Sequence, residues 1–429
     1  MSSFQVIVTG VFVFFIVLGV LVFAGFGGLG GGEDAGVVVI WGTVSERVVS
    51  NLIGNLAALD DSFDQVTYVE KKPETYTKEI IDAIAAGRAP DLFLLPQDEI
   101  VSLSDKVLPI PYGVMSERRF RDAFIDEGEL YLREGGIMGM PLLIDPLVMY
   151  FNRDIFAAGS VAQTPRFWDE LFTLAPKLTS LDTASNVKRS AVALGEYRNV
   201  RHAKEILSTL FLQAGERIMV YDAEGNLASV FGEQREALIN PAESALRFYT
   251  EFSNPVKSVY SWNRSLRESP AAFAAGDLGI YFGFASEYEG IRLRNPNLAL
   301  GVATLPQARD SRNRFTFGRM QALAIPRGAS NVKGAAIIAE KLSSEGPARA
   351  LAEGLRLPPS RRDLLLADPA NAVQSVFVES AFLARGWFDP DPQGSSEVFK
   401  EMIESVTSGR LRLAEAISEA SGELGRLAQ

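Results

Sequence analysis

The feature that most constrains this chain is a pair of short apolar runs, Val37-Val38-Val39-Ile40 and Leu92-Phe93-Leu94-Leu95, each cut off by glycine or proline. A strand that is apolar at every position has no face for water and must be covered on both sides, as in a parallel sheet. Between the runs, Val48, Val49, Leu52, Ile53 and Leu56 recur at helical spacing within Ser45 to Leu59. Gln65 to Glu70 alternates like a strand, and Tyr76, Ile80 and Ile84 share one face of a second helix. Gly87 is placed to end that helix in the left-handed region, Pro90 prevents its continuation, and Pro96 ends the strand after it. Strand, helix, strand, helix, strand implies right-handed crossovers on a mostly parallel α/β sheet, whose ligands sit beyond the carboxyl ends of the strands. That rim carries Trp41, Thr43 and Ser45 after the first strand and Asp98 after the third. The plainer reading of Asp98 is that it caps a helix starting at Glu99.

A second dense segment, Gly136 to Phe156, predicts two apolar strands, Met140–Ile144 and Leu147–Phe151, on either side of Asp145-Pro146. A carboxylate amid ten apolar residues is costly unless donors reach it, from backbone amides or from a ligand's hydroxyls. Such a strand pair also suits a connection between two lobes. Trp41, Tyr150, Trp262, Phe284 and Tyr288 offer aromatic faces that stack on sugar rings or pack in a core. Trp262 lies in the polar stretch SVYSWNRS, which predicts a surface or ligand contact.

Length and charge set the outer limits. With 429 residues the chain can build two cores, and a net charge of −11 argues against a nucleic-acid partner. The absence of cysteine excludes disulfides, thiolate chemistry and acylation through cysteine. The single histidine, His202, reads as an ordinary core or surface residue. No glycine-rich phosphate cradle and no metal-ligand spacing occur, so neither cofactor nor metal is expected. Asp389-Pro390-Asp391-Pro392 reads as a solvated turn. The first 32 residues carry no charged side chain, and the apolar run Phe4 to Phe26 is long enough to cross a hydrocarbon core of ~30 Å. Residues 1–27 therefore read as a transmembrane anchor, with a cleaved signal as the alternative, and 28–36 as a glycine-rich tether.

Six segments in order carry a resemblance: VVVIWG, IAAGRAPDLFLLPQD, GMPLLIDPLVMYFNRDIF, TPRFWDELFTLAPKLT, AAFAAGDLGIYFGFASEYEGIRLRNPNLALGVATLPQ and QALAIPRGASNVKGAAIIAEKL. Together the chain resembles the extracellular solute-binding proteins of ABC importers, of the maltose-binding kind. The resemblance implies a two-lobed α/β clamp of the type II periplasmic-binding-protein kind, each lobe a mixed sheet flanked by helices, behind an N-terminal transmembrane helix. Lobe 1 would take 37–144 and 321–354, and lobe 2 would take 145–320 and 355–429. The resemblance places Asp98, Asp145, the Phe284–Ser286–Tyr288 loop and Arg319 at the ligand. It also puts Ser286 and Leu95 where maltose binders commonly have aromatics, which counts against a maltodextrin in particular. The implied function is capture of a solute, a saccharide above all, for an ABC permease, without turnover, by a domain outside the cytoplasm. The alternatives are a clamp read by a receptor, and an enzyme using Asp98 and Asp145 as a glycosidase pair.

Overall fold

The structure is a computed structural model that describes residues 35–233, 240–309 and 311–429. The expected transmembrane run and most of the tether lie outside the described residues. Among the described residues no helix is long and apolar enough to cross a membrane.

The first third follows the alternation read from the apolar runs. Strands β1 (Val38–Gly42), β2 (Val66–Glu70) and β3 (Leu92–Pro96) lie in the order β2-β1-β3, all parallel. Helices α1 (Glu46–Ala57) and α2 (Tyr76–Ala85) make the crossovers. Gly87 takes a φ of 64°, and the Arg88 N–H donates to Ala83 O at 2.9 Å, so the helix closes as its glycine predicts.

Strand β4 (Met140–Asn152) is one continuous strand of 13 residues, not the expected two. Pro146 does not break it. The residue opposite Pro146 is Gly318 on strand β8 (Thr316–Pro326), and the Pro146 carbonyl accepts a hydrogen bond from Ala285 N at 3.0 Å. Pro146 thus sits where the ladder does without its missing donor. Strand β8 runs antiparallel to both β3 and β4. Strand β6 (Leu278–Phe284) and strand β7 (Leu300–Ala303) then pair with the second half of β4, and β6 pairs in parallel with β5 (Val187–Val192). Two lobe sheets are thereby fused through β4 and β8.

Two apolar cores share these two strands. One takes Met140–Ile144 of β4 and Met320, Ala322–Ile325 of β8; the other takes Leu147–Tyr150 and Phe317. The changeover falls at Asp145-Pro146 and at Gly318-Arg319. Gly318 is required there, because a Cβ would meet Ala384 Cβ at 2.7 Å and Ile144 Cδ1 at 2.9 Å. The segment after residue 355 packs against both cores. Leu365, Ala381 and Ala384 pack in the first core, while Leu357, Val373, Val376 and Phe377 already touch the second, which the chain joins fully from Trp387. The last two long helices, Pro392–Thr407 and Leu413–Leu427, then close over the second lobe.

Candidate functional site

Where the two cores change over, the shared strands turn polar. Asp145 of β4 and Arg319 of β8 are partners in register. Arg319 keeps 46% of its side-chain surface open although its strand neighbours Gly318 and Met320 are buried. An exposed guanidinium on a buried strand marks the floor of a cleft between the lobes. The guanidinium carbon lies over the Phe284 ring, 3.8 Å from its centroid, at the end of β6. It pairs with Glu205 near the start of α3 (Ala203–Gln213), and its Nη2 is 3.5 Å from His202 Nδ1.

His202 is held from several sides. Its Nε2 is 2.6 Å from Glu287 Oε1, and its ring meets Phe284 edge-on at 4.8 Å. Glu287 opens helix α4 (Glu287–Arg294) and also accepts from Tyr281 Oη at 2.6 Å and Phe284 N at 2.9 Å. Asp145 Oδ1 accepts from Ser286 N at 2.9 Å. Burial pushes the Asp145 carboxyl up to about 6, against the bonds from Ser286. Burial also works to raise Glu205, but the Arg319 guanidinium outweighs it and holds that carboxyl at about 2.

Asp98 stands on the one-turn helix Gln97–Glu99 just beyond β3. The expected cap does not form: the turn starts at Gln97 without a side-chain cap. Asp98 is half-buried, accepts no hydrogen bond among the described residues, and its charge is felt at Arg319 and at Asp389. Next to it, Gln97 ties the first lobe to the crossing strand. Its amide donates to Gly318 O and accepts from Met320 N at 2.9 Å.

The aromatic candidates fare differently. Tyr150 is fully buried, and its hydroxyl donates to Phe284 O at 2.6 Å, so it belongs to the second core. Trp262 is 1% exposed, because Asn199 Oδ1 accepts from its indole N–H at 3.0 Å and satisfies the one polar atom of the ring. Both are corrections to the expected ligand contacts. Phe284 is buried too, and serves the cleft only as the platform under Arg319. Trp41 is half-buried with Lys71 Nζ 3.8 Å from its ring centroid. Thr43 is half-buried and Ser45 exposed at the start of α1, while Ser286 reaches the site through its backbone N–H. Tyr288 lies beside Arg292 and edge-on to Phe377 at 6.1 Å.

The sequence reading missed His202, Glu205, Glu287, Lys204 and Asp389. The expected solvated turn at Asp389 is 2% exposed. Lys204 Nζ pairs with Asp389 and donates to Ser395 Oγ at 2.6 Å, and it sits 5.5 Å from the Trp387 ring. At the rim, Arg133 of the first lobe bridges to the second. Its guanidinium carbon is 4.9 Å from the Tyr221 ring and 4.8 Å from the Phe388 ring. A surface depression of about 690 Å³ beside the last helix lies in the second lobe and gathers none of these groups. Among the described residues no acidic or histidine cluster could hold a metal ion.

Two lobes joined by crossing strands that carry polar groups can hold a solute between them. The family comparison agrees: the model described as bacterial extracellular solute-binding protein matches residues 63–375. The chain belongs to that family. Among curated relatives of this solute-binding protein is a maltooligosaccharide ABC transporter solute-binding lipoprotein of Streptococcus pneumoniae. It is 23% identical over 252 residues, which are 58% of this chain and 54% of the relative. The match thus spans about half the length of that relative. Among solved structures, a cyclo/maltodextrin-binding protein complexed with maltotetraose superposes with a TM-score of 0.71 at 17% identity, covering 94% of this chain and 99% of that one. A solute-binding protein of Thermotoga lettingae bound with α-D-tagatose gives 0.68 at 20%, covering 92% and 100%. At such identities the likeness shows the fold.

Proposed function

We propose that this solute-binding protein captures a saccharide between its lobes outside the cytoplasm and delivers it to an ABC permease, held at the membrane by its apolar N-terminal run. The observation that carries the reading is Arg319, open on an otherwise buried crossing strand, with the half-buried Asp145 in register beside it on the other. A fork of N–H donors beside a carboxylate acceptor matches the paired donors and acceptors of vicinal hydroxyls. Asp98 adds an uncommitted acceptor from the first lobe. Closure of both walls on such a ligand favours the closed state by the difference in contacts it makes there. The relatives' named ligands, maltooligosaccharide, maltotetraose and tagatose, support a sugar. The role is binding without turnover.

The test is a thermal-shift and calorimetry panel on the full-length chain with mono- and oligosaccharides, amino acids, peptides and phosphates. A ligand at a hundred times its Kd adds about 2.7 kcal/mol to the folded state. A saccharide that raises Tm, with the effect abolished in Asp145→Asn, supports the reading. A response confined to another class, or hydrolysis of the bound sugar, overturns it.

A further inference from the structure

We propose that His202 positions Arg319 in the cleft, and that the protonation state of its Nδ1 decides whether Arg319 stays in place. The proposal takes the interlobe cleft as the ligand site.

His202 is the one histidine in the chain. Its backbone is left-handed, at φ 63° and ψ 26°, a region that only three other described non-glycine residues enter. It occupies the cap position of α3, yet its side chain makes no cap bond to the helix. The strained backbone instead aims the ring across the cleft wall, with one nitrogen toward α4 and the other toward β8. Strain of this kind is kept where the surroundings require it.

The two nitrogens face different chemistry. A guanidinium only donates, so the 3.5 Å approach of Arg319 Nη2 to Nδ1 is favourable when Nδ1 carries a lone pair. The ring proton then sits on Nε2 and is donated to Glu287 at 2.6 Å. Glu287 is fixed in turn by Tyr281 and Phe284 N, so the ring is held in the Nε2–H tautomer. A second proton, on Nδ1, would face Arg319. Its nearest acceptor is Glu205 Oε1 at 4.0 Å, the same oxygen that holds Arg319. Protonated His202 then stands as a second cation beside Arg319 at Glu205, and the guanidinium loses Nδ1 as an acceptor. The groups facing the ring are Glu205, Glu287, Arg319 and Phe284, with Tyr281 behind Glu287 and Asp145 opposite Arg319. Arg201 precedes the ring and Lys204 follows it, the latter already engaged with Asp389.

A chain with a single histidine allows a direct test. With histidine labelled in ¹³C and ¹⁵N, the full-length protein gives one set of ring signals. The expected result is an Nε2–H tautomer at pH 8, with the Nδ1 signal displaced in Arg319→Ala once the donor facing it is gone. An Nδ1–H tautomer at pH 8, or an Nδ1 signal unmoved by Arg319→Ala, overturns the proposal. The functional arm measures maltotetraose affinity at pH 8 and pH 5.5. A loss of about tenfold at the lower pH corresponds to one charge-assisted hydrogen bond. Asp145 also gains a proton near pH 6, so the wild type is compared with His202→Gln and Asp145→Asn. His202→Gln removes most of the pH-dependent loss if the ring positions Arg319; a His202→Gln profile that follows the wild type refutes the idea. Absence of maltotetraose binding at any pH counts against that sugar alone, the affinity arm then uses the saccharide that raises Tm in the panel, and the ring signals still decide the role of His202.

Discussion

Glu127 offers the sharpest energetic prediction. It lies on the short helix Asp126–Tyr131, is 1% exposed, and neither carboxyl oxygen has a hydrogen-bond partner among the described residues. Around it stand Arg385, which pairs with Asp126, together with the Gln97 amide and Gly386. Burial raises its carboxyl from 4.5 to about 8, against the pull of Arg385. The acid is then neutral in the folded protein at pH 7 and ionised in the unfolded chain. Because the native state binds the extra proton, stability is fully present below about pH 4.5 and declines as pH rises towards 8. At 1.36 kcal/mol per pH unit the whole loss amounts to about 5 kcal/mol. Relaxation of Arg385 towards an ionised Glu127 would reduce it. Glu127→Gln has nothing to ionise. The two proteins should have similar denaturant midpoints at pH 5, and the variant should be more stable by about 3–5 kcal/mol at pH 9. Equilibrium unfolding in urea from pH 5 to pH 9 measures the difference, and Asp145 cancels because both proteins contain it. Parallel curves across the whole range would refute the reasoning, as would a wild type that gains stability on the variant with rising pH.

Three further outcomes follow from particular contacts. Gly386→Ala places a Cβ 2.5 Å from Gln97 Nε2 and 2.6 Å from Glu127 Oε1, so urea unfolding should show a loss of about 1–3 kcal/mol, smaller in the Glu127→Ala background. Lys204→Met leaves Asp389 buried without its cation and should cost about 3–5 kcal/mol, recovered in part by Asp389→Asn in the same chain. Arg133→Ala removes the cation held between Tyr221 and Phe388, so small-angle scattering of the ligand-free protein should show a larger radius of gyration, with the wild-type value returning at saturating ligand.

The parts of the fold legible in the sequence are those where local chemistry is decisive. The runs at Val38–Gly42 and Leu92–Pro96 could only be buried strands, and Gly87 with Pro90 announced the end of α2. Asp145 was legible as an acid with an unusual neighbourhood, and Arg319 through resemblance. What failed depended on distant partners. Pro146 reads as a break until Gly318, more than 170 residues later, is found opposite it. Trp262 reads as exposed because its own stretch is polar; the oxygen that allows its burial belongs to Asn199. His202 looks ordinary beside Ala203 and Lys204, and its role comes from Glu287 and Arg319 on other elements. Asp389 hid among prolines that suggest a loop, while its cation is on α3. Apolar patterning travels along the chain; polar pairing across a cleft does not.

The fusion of both sheets through β4 and β8 also governs how the two halves can move. A joint made of two laddered strands resists sliding, and a hinge in it would fall where the cores change over, at Asp145-Pro146 and Gly318-Arg319. Such a pivot would pass beside Asp145 and Arg319. Points near an axis hardly travel, whereas Asp98 on one wall and Arg133 of the first lobe would swing through the arc. A solute entering the gape would first settle on a stationary pair of charges, in the same place whether the jaws stand wide or shut, and only afterwards feel the walls arrive. Initial encounter and final grip are thus assigned to different residues, so substitutions on the floor should alter the rate of capture and those on the walls the time the solute stays.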